Sequence, residues 1–191
     1  VEREQTRRIW KAYRDVMSVA TGGKLVLVDS EESSALLAEG EVRGHLELRH
    51  PEDGAVARSL VGTVLREEGF DQAEAFRLRV CVSESVTNVF KHAGKGTVTL
   101  RRTPEALRIV VADSGSGIPY DILPKAVLAD GYSTQHSLGK GYSVMLRYMD
   151  RIYLGTSSQG TTVILERRAG GEPAQPENSQ PGTGEGGRQV C

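Results

Sequence analysis

Four short runs carry residue types that do chemistry. The first is Ser83-Glu84-Ser85-Val86-Thr87-Asn88-Val89-Phe90-Lys91-His92. Glu84, Asn88 and His92 recur every four residues, so on a helix they line one face, with Val82, Val86 and Val89 on the apolar side. A carboxylate and a carboxamide one turn apart are two hard oxygen donors. They suit Mg2+, which keeps several waters and takes few protein ligands. The carboxylate is equally fit to accept a proton or orient an attacking hydroxyl. Taken singly, the same spacing is common on solvated helix faces.

The second run is Ile109-Val110-Val111-Ala112-Asp113-Ser114-Gly115-Ser116-Gly117-Ile118. An apolar strand ends in an aspartate and two alternate glycines. The glycines let backbone come close to a ligand without a Cβ in the way, and Asp113 offers the acceptor that an adenine amino group requires. An ordinary exit from strand to turn reads the same way. The third run, Gly131 to Tyr142, is a polar loop ending in Ser137-Leu138-Gly139-Lys140-Gly141 at the start of a helix. Free N–H groups and the helix dipole favour anions there, so phosphates are natural ligands. Lys140 is either an added point charge or a solvated surface lysine. This loop is the expected mobile lid. The fourth run, Gly160-Thr161-Thr162, enters the last strand, and the hydroxyl of Thr161 or Thr162 is within reach of an adenine pocket. The plainer reading of both threonines is a β-former after a turn glycine.

Other reactive side chains point elsewhere. His50 and His136 fall in loops, and the histidines, cysteines and carboxylates show no zinc spacing. His92 either faces a ligand or stabilises a helix C-terminus. Cys81 lies inside the long helix and reads as core.

These runs must be positioned by a frame. Ile9, Trp10, Tyr13, Val16, Met17 and Ala20 form an N-terminal helical stripe stopped by Gly22-Gly23. The stripe packs on the main domain or serves a dimer or partner. Lys24 to Val28 reads as a short strand and Glu31 to Glu39 as a short helix. His45 to Leu48 alternates like a strand. Pro51-Glu52-Asp53 opens a helix that Gly69 ends. Asp71 caps the long helix, with Glu74 as its capping-box partner. Thr97 to Leu100 and Leu107 to Val111 are strands turned at Thr103-Pro104. A helix from Leu138 to Met149 precedes two last strands, Arg151 to Leu154 and Thr161 to Leu165. Helices grouped beside strands joined by hairpins imply an α+β fold: a two-layer α/β sandwich with helices on one face of a mainly antiparallel sheet. The expected division is an N-terminal extension over 1–40, regulatory or dimerising, a main domain over 41–168, and a disordered tail over 169–191. The tail is almost devoid of apolar residues.

The 191 residues carry 24 Lys and Arg against 25 Asp and Glu, a net charge of -1, which argues against a general nucleic-acid binder. No apolar run approaches the roughly 20 residues of a membrane helix. The charged opening Val1-Glu2-Arg3-Glu4-Gln5 is not that of a secretory signal. Cys81 and Cys191 build no disulfide framework, and a cytoplasmic setting is expected.

The four runs together, in this order, are similar to the GHKL nucleotide-binding family over about His45 to Arg168. The compact form resembles the anti-sigma-factor and switch serine protein kinases. The resemblance rests on Ser83-Glu84-x-x-x-Asn88, on His92-Ala93-Gly94-x-Gly96, on Asp130-Gly131-Tyr132-Ser133-Thr134 and on Arg147-Tyr148-Met149-Asp150. It implies a Bergerat-type sandwich that binds Mg-ATP and transfers the γ-phosphate to a serine of a STAS-type antagonist. A sigma factor or PP2C-type phosphatase would be the regulated target, with a homodimer allowed and no direct contact with nucleic acid or membrane. On that reading Glu84 activates or orients the serine and Asn88 ligates Mg2+. Asp113 accepts from the adenine, and Gly115 and Gly117 admit the base. Gly139 and Gly141, with Ser137 and Lys140, hold the phosphates. Thr161 or Thr162 completes the adenine site. Two alternatives are a non-catalytic ATP-binding regulator and a detached catalytic domain of a histidine kinase. Bulky Tyr142, where small or aliphatic residues are common, departs from the family pattern, and the sequence assigns no arginine to the γ-phosphate.

Overall fold

The computed structural model describes residues 2–128 and 138–168. Asp130-Gly131-Tyr132-Ser133-Thr134, His136, Ser137 and the 169–191 tail lie outside the described residues. The elements run α1 (Glu2–Ala20), β1 (Leu25–Leu27), α2 (Ser30–Ala38), β2 (Glu41–Leu48), α3 (Asp53–Glu67) and α4 (Gln72–His92). They continue as β3 (Gly96–Arg102), β4 (Ala106–Asp113), α5 (Leu123–Leu128), α6 (Leu138–Tyr148), β5 (Arg151–Ser157) and β6 (Gly160–Arg168). One six-stranded sheet has the order β1-β5-β6-β4-β3-β2.

Every strand pair is antiparallel except β1 with β5. The fold is therefore α+β with a mainly antiparallel sheet, as the pattern implies. The parallel edge pair is a difference. Strand–helix alternation speaks only to strands close in sequence, whereas β1 waits for a partner formed near the end of the fold. It is held at both ends, by Ile152 N donating to Lys24 O at 2.7 Å and Val28 N donating to Leu154 O at 3.0 Å.

Register explains the core. Leu25, Ile152, Leu165, Ile109 and Leu100 lie side by side across five strands, as do Leu27, Leu154, Val163, Val111 and Val98. Both rows are buried against Val82 and Val86 of α4, Val61 and Leu65 of α3, and Met145 of α6. Each fully buried aliphatic contributes about 1.5–3 kcal/mol. The N-terminal stripe divides: Met17 is fully buried and Trp10 and Tyr13 pack on this core, while Ile9 and Val16 remain exposed.

Local signals place α4. The Asp71 side chain accepts from Glu74 N at 2.7 Å. The Glu74 carboxylate turns instead to Arg167 of β6, at 2.6 Å. A tertiary ion pair thus takes the group that a local capping box would use. The short α2 lies on the sheet face opposite the larger helices. There Arg108, only 7% exposed, donates to Glu166 at 2.8 Å and to Glu39 at 2.5 Å. Burial works against the guanidinium's charge, but Glu166 and Glu39 outweigh it and raise the Arg108 pKa.

Leaving a buried charge unpaired costs far more than removing both partners. Glu166→Leu removes the more buried of the two Arg108 partners and leaves Glu39 in place, so it is expected to lose about 2 kcal/mol. Arg108→Met combined with Glu166→Leu should return to within about 1 kcal/mol of the parent. Urea denaturation measures both, and a double variant as weak as the single one would refute the account.

Candidate active site

A cavity of about 170 Å³ opens between α4, the end of β4, the start of β6 and α6. Asn88, Asp113, Gly115, Gly117 and Thr161 all line it. With Tyr142, which also lines it, the structure brings together residues from all four sequence runs. Val89, Val111, Ile118 and Val163 form apolar walls. A slot of this kind accepts a planar ring and keeps its polar groups for the rim and the far end.

Asp113 closes β4. Its Oδ1 accepts from Gly115 N at 2.8 Å and from Thr161 N at 3.2 Å. These bonds fix the carboxylate and leave Oδ2 for another donor. The glycines that follow do serve close approach, but to the chain itself. A Cβ on Gly115 would stand 2.9 Å from Ala93 Cβ. A Cβ on Gly117, at φ +72°, would stand 2.0 Å from Ser157 O. The pattern read as room for a base is thus first a packing requirement at the cavity wall. Gly160, which the sequence reading passed over as a turn residue, matters as much: its Cβ would lie 2.0 Å from Asp113 O, at φ +135°.

Strand alternation resolves the threonine pair. Thr161 lines this cavity, whereas Thr162 lines a groove of about 750 Å³ on the opposite face with Gly155 and Ser33. Thr162 is not brought to the Asn88–Asp113 cavity.

Glu84 and Asn88 share one face of α4 and are both partly buried. Gly141 of α6 comes against that face, so a Cβ there would lie 3.1 Å from Glu84 Oε2 and 3.8 Å from Asn88 Nδ2. Glu84 sits one turn beyond Asn88, outside the cavity lining. Gly139 and Lys140 lie in the first turn of α6. Ser137 lies outside the described residues. His92 lines the cavity, in keeping with the ligand-facing reading of that residue.

Two lining residues lie within the sequence runs but were given no role there. Ser85 is buried and bonds Cys81 O at 3.2 Å. Tyr142 is also buried, and desolvation, followed by the charge of Asp113, raises its pKa. Period alone places Ser85 on the inner side of α4 and Tyr142 on the inner side of α6, but says nothing of a cavity. Cys81 is core: burial pushes its thiol up to about 12, so it stays protonated and unreactive. Arg79 is not at the cavity. It borders a separate surface groove with Arg58 and Arg66. Arg147 stacks over the Tyr148 ring at 5.7 Å.

A fixed carboxylate and a carboxamide lining an apolar slot, with the first turn of a helix beside them, suit a nucleoside carrying phosphates. Comparison with known proteins agrees. Residues 49–167 match the family described as histidine kinase-like ATPase domain. The serine/threonine-protein kinase RsbT of Bacillus subtilis is 34% identical over 116 residues, which are 58% of this chain and 85% of RsbT. The serine-protein kinase RsbW of Bacillus licheniformis is 29% identical over 130 residues, 61% of this chain and 79% of RsbW. A chain of the SiaB–SiaC complex from Pseudomonas aeruginosa shares the fold, with a TM-score of 0.52 at 13% identity, over 72% of this chain and all of that one.

The chain therefore belongs to the histidine kinase-like ATPase domain family. Its curated relatives place it with the serine protein kinases of that family.

Gly160 and Gly69 both hold positive φ, but nothing lies within 4 Å of a Cβ at Gly69. Gly69→Ala should cost about 1 kcal/mol from backbone strain alone. Gly160→Ala should cost at least about 2 kcal/mol and shift Asp113. Thermal melting of the two variants compares them, and equal losses would mean that the contact at Asp113 is not rigid.

Proposed function

We propose that the protein is an ATP-dependent serine protein kinase of the anti-sigma or switch type. It passes the γ-phosphate of ATP to a serine of a STAS-type antagonist and thereby controls a sigma factor or a PP2C-type phosphatase by partner switching. A cytoplasmic setting fits such partners; among the described residues no helix is long and apolar enough to cross a membrane. The observation that carries the reading is the shared face of Glu84 and Asn88, set between the Asp113 cavity and the first turn of α6.

In this reading the adenine enters the apolar slot and gives an amino hydrogen bond to Asp113, with Thr161 beside it. The phosphates reach toward the N–H groups of Gly139 and Gly141, near Lys140 and Ser137. The donor set fits Mg2+: the Asn88 carboxamide, with Glu84 one turn away, offers hard oxygens without a closed cage. Among the described residues no cluster of three His, Cys, Asp or Glu forms such a cage. When bound, the ion supplies charge neutralisation on the phosphates. Glu84 takes the proton of the substrate serine as its oxygen bonds to the γ-phosphorus and the bond to the β-phosphate oxygen breaks, releasing ADP. The α1 segment is available for a homodimer or for regulation, through exposed Ile9 and Val16.

Incubation with labelled ATP and a STAS-type antagonist should put phosphate on a serine. Glu84→Ala should lower that rate at least about 100-fold while ATP binding persists. ATP-dependent capture of the antagonist without transfer would instead mark a regulator that works by contact, and phosphohistidine would mark a histidine-kinase domain. Asn88→Ala is expected to remove most of the Mg2+ dependence of ATP affinity, read by calorimetry with and without Mg2+. An unchanged dependence would exclude Asn88 as the ligand.

A further inference from the structure

Tyr142 is the first residue after Gly141. It is 1% exposed and lines the cavity beside Asp113. No hydrogen bond of its hydroxyl is found among the described residues, where the one sealed, unpartnered side-chain polar atom is Arg102 Nη1. A buried phenol ordinarily finds a partner, because an unmet O–H in an apolar setting is costly. Tyr142 lines the slot, where a bound ligand would supply that partner.

Two of the neighbouring polar groups are already engaged. Ser85 Oγ is engaged with Cys81 O and lies 3.2 Å from Met145 Sδ. Asp113 Oδ1 is taken up by the N–H groups of Gly115 and Thr161. The wall thus offers an acceptor, Asp113 Oδ2, and a donor, the Tyr142 hydroxyl, alongside the Asn88, His92, Ser116 and Thr161 side chains that also line the cavity. Burial and the adjacent Asp113 charge both keep the phenol protonated at neutral pH, so it stays a donor. An acceptor next to a donor complements a base edge with the reverse order. A 6-aminopurine shows such an edge, an amino donor flanked by a ring-nitrogen acceptor. A 6-oxopurine shows a carbonyl acceptor beside an N–H donor, which would leave both protein groups mismatched.

We infer that Tyr142 is a specificity-determining residue: its hydroxyl donates to a ring nitrogen flanking the amino group of the bound base and, with Asp113, selects adenine over guanine nucleotides. The inference rests on the proposed nucleotide reading of the cavity and deepens it. It also gives the bulky residue at this position a role in recognition, separate from phosphate binding.

Calorimetry on the full chain with Mg2+ tests it, with ATP, GTP, 1-deaza-ATP and 7-deaza-ATP as probes. Tyr142→Phe should weaken ATP about five- to tenfold and narrow the ATP-to-GTP ratio, with the melting temperature of the free protein unchanged or raised. One deaza analogue should bind the parent protein as weakly as ATP binds the variant, and the variant should not distinguish that analogue from ATP. Equal affinity of parent and variant for ATP overturns the inference and leaves the kinase reading standing. A parent that binds ATP and both deaza analogues equally overturns it too, however the variant folds. A parent that binds no nucleotide at all removes both readings.

Discussion

One carboxylate oxygen gathers the cavity. Asp113 Oδ1 takes N–H groups from the loop after β4 and from the start of β6, at 2.8 and 3.2 Å. Those segments are far apart in the chain, and the bonds hold them at one height above the core. The contact is so close that side chains are excluded around it. Gly160 lies against the Asp113 carbonyl and Gly117 against that of Ser157. Ile118 N then donates to Thr156 Oγ1 at 2.7 Å, pinning the same loop to β5. The slot therefore has a wall set by close backbone approaches and tied by the Asp113 and Thr156 side chains.

The other wall is helical. α4 buries Leu78, Cys81, Val82, Ser85, Val86 and Val89 and so presents Glu84 and Asn88 at the border of the core. α6 meets it through Gly141, Tyr142 and Met145. Lys24 Nζ donates to Leu146 O at 3.0 Å, so the segment before β1 also holds α6. β1 in turn is paired with β5. The N-terminal segment thus shares one core with the part that carries the cavity, through Met17, Leu25 and Leu27.

Much of this was legible in the residues because it is local. The Asp71 cap, the α4 stripe and the β4 run ending at Asp113 are each set by neighbours within a few positions, and the structure keeps all three. Asn88, Asp113 and Thr161 meet because the order of elements forces the sandwich to close on them. The parts that were not legible are long-range. Arg108 with Glu166, and Glu74 with Arg167, join residues on distant strands and helices, and periodicity gives no hint of a partner. The parallel β1–β5 pair has the same character. So does α5, a helix of six residues, Leu123–Leu128, too short to show a period. Choosing Thr161 over Thr162 needed strand phase relative to β4, which the Gly160 turn leaves open.

The charge around the cavity constrains how a triphosphate would be held. Among the described residues its lining includes no Lys or Arg, and Arg58, Arg66 and Arg79 are gathered at a separate groove. Phosphoryl transfer needs negative charge neutralised as the bond to the leaving oxygen breaks. Within this lining the polar side chains nearest the proposed metal and base positions are the Asn88 carboxamide and Asp113, and neither carries positive charge. Neutralisation would then fall to the N–H groups at the start of α6, to the Lys140 beside them in sequence and to a divalent cation. A helix terminus and an ion act only on phosphates placed correctly, and the base slot is what places them. The fixed Asp113 wall would thus contribute to catalysis by orientation, although it touches no reacting atom.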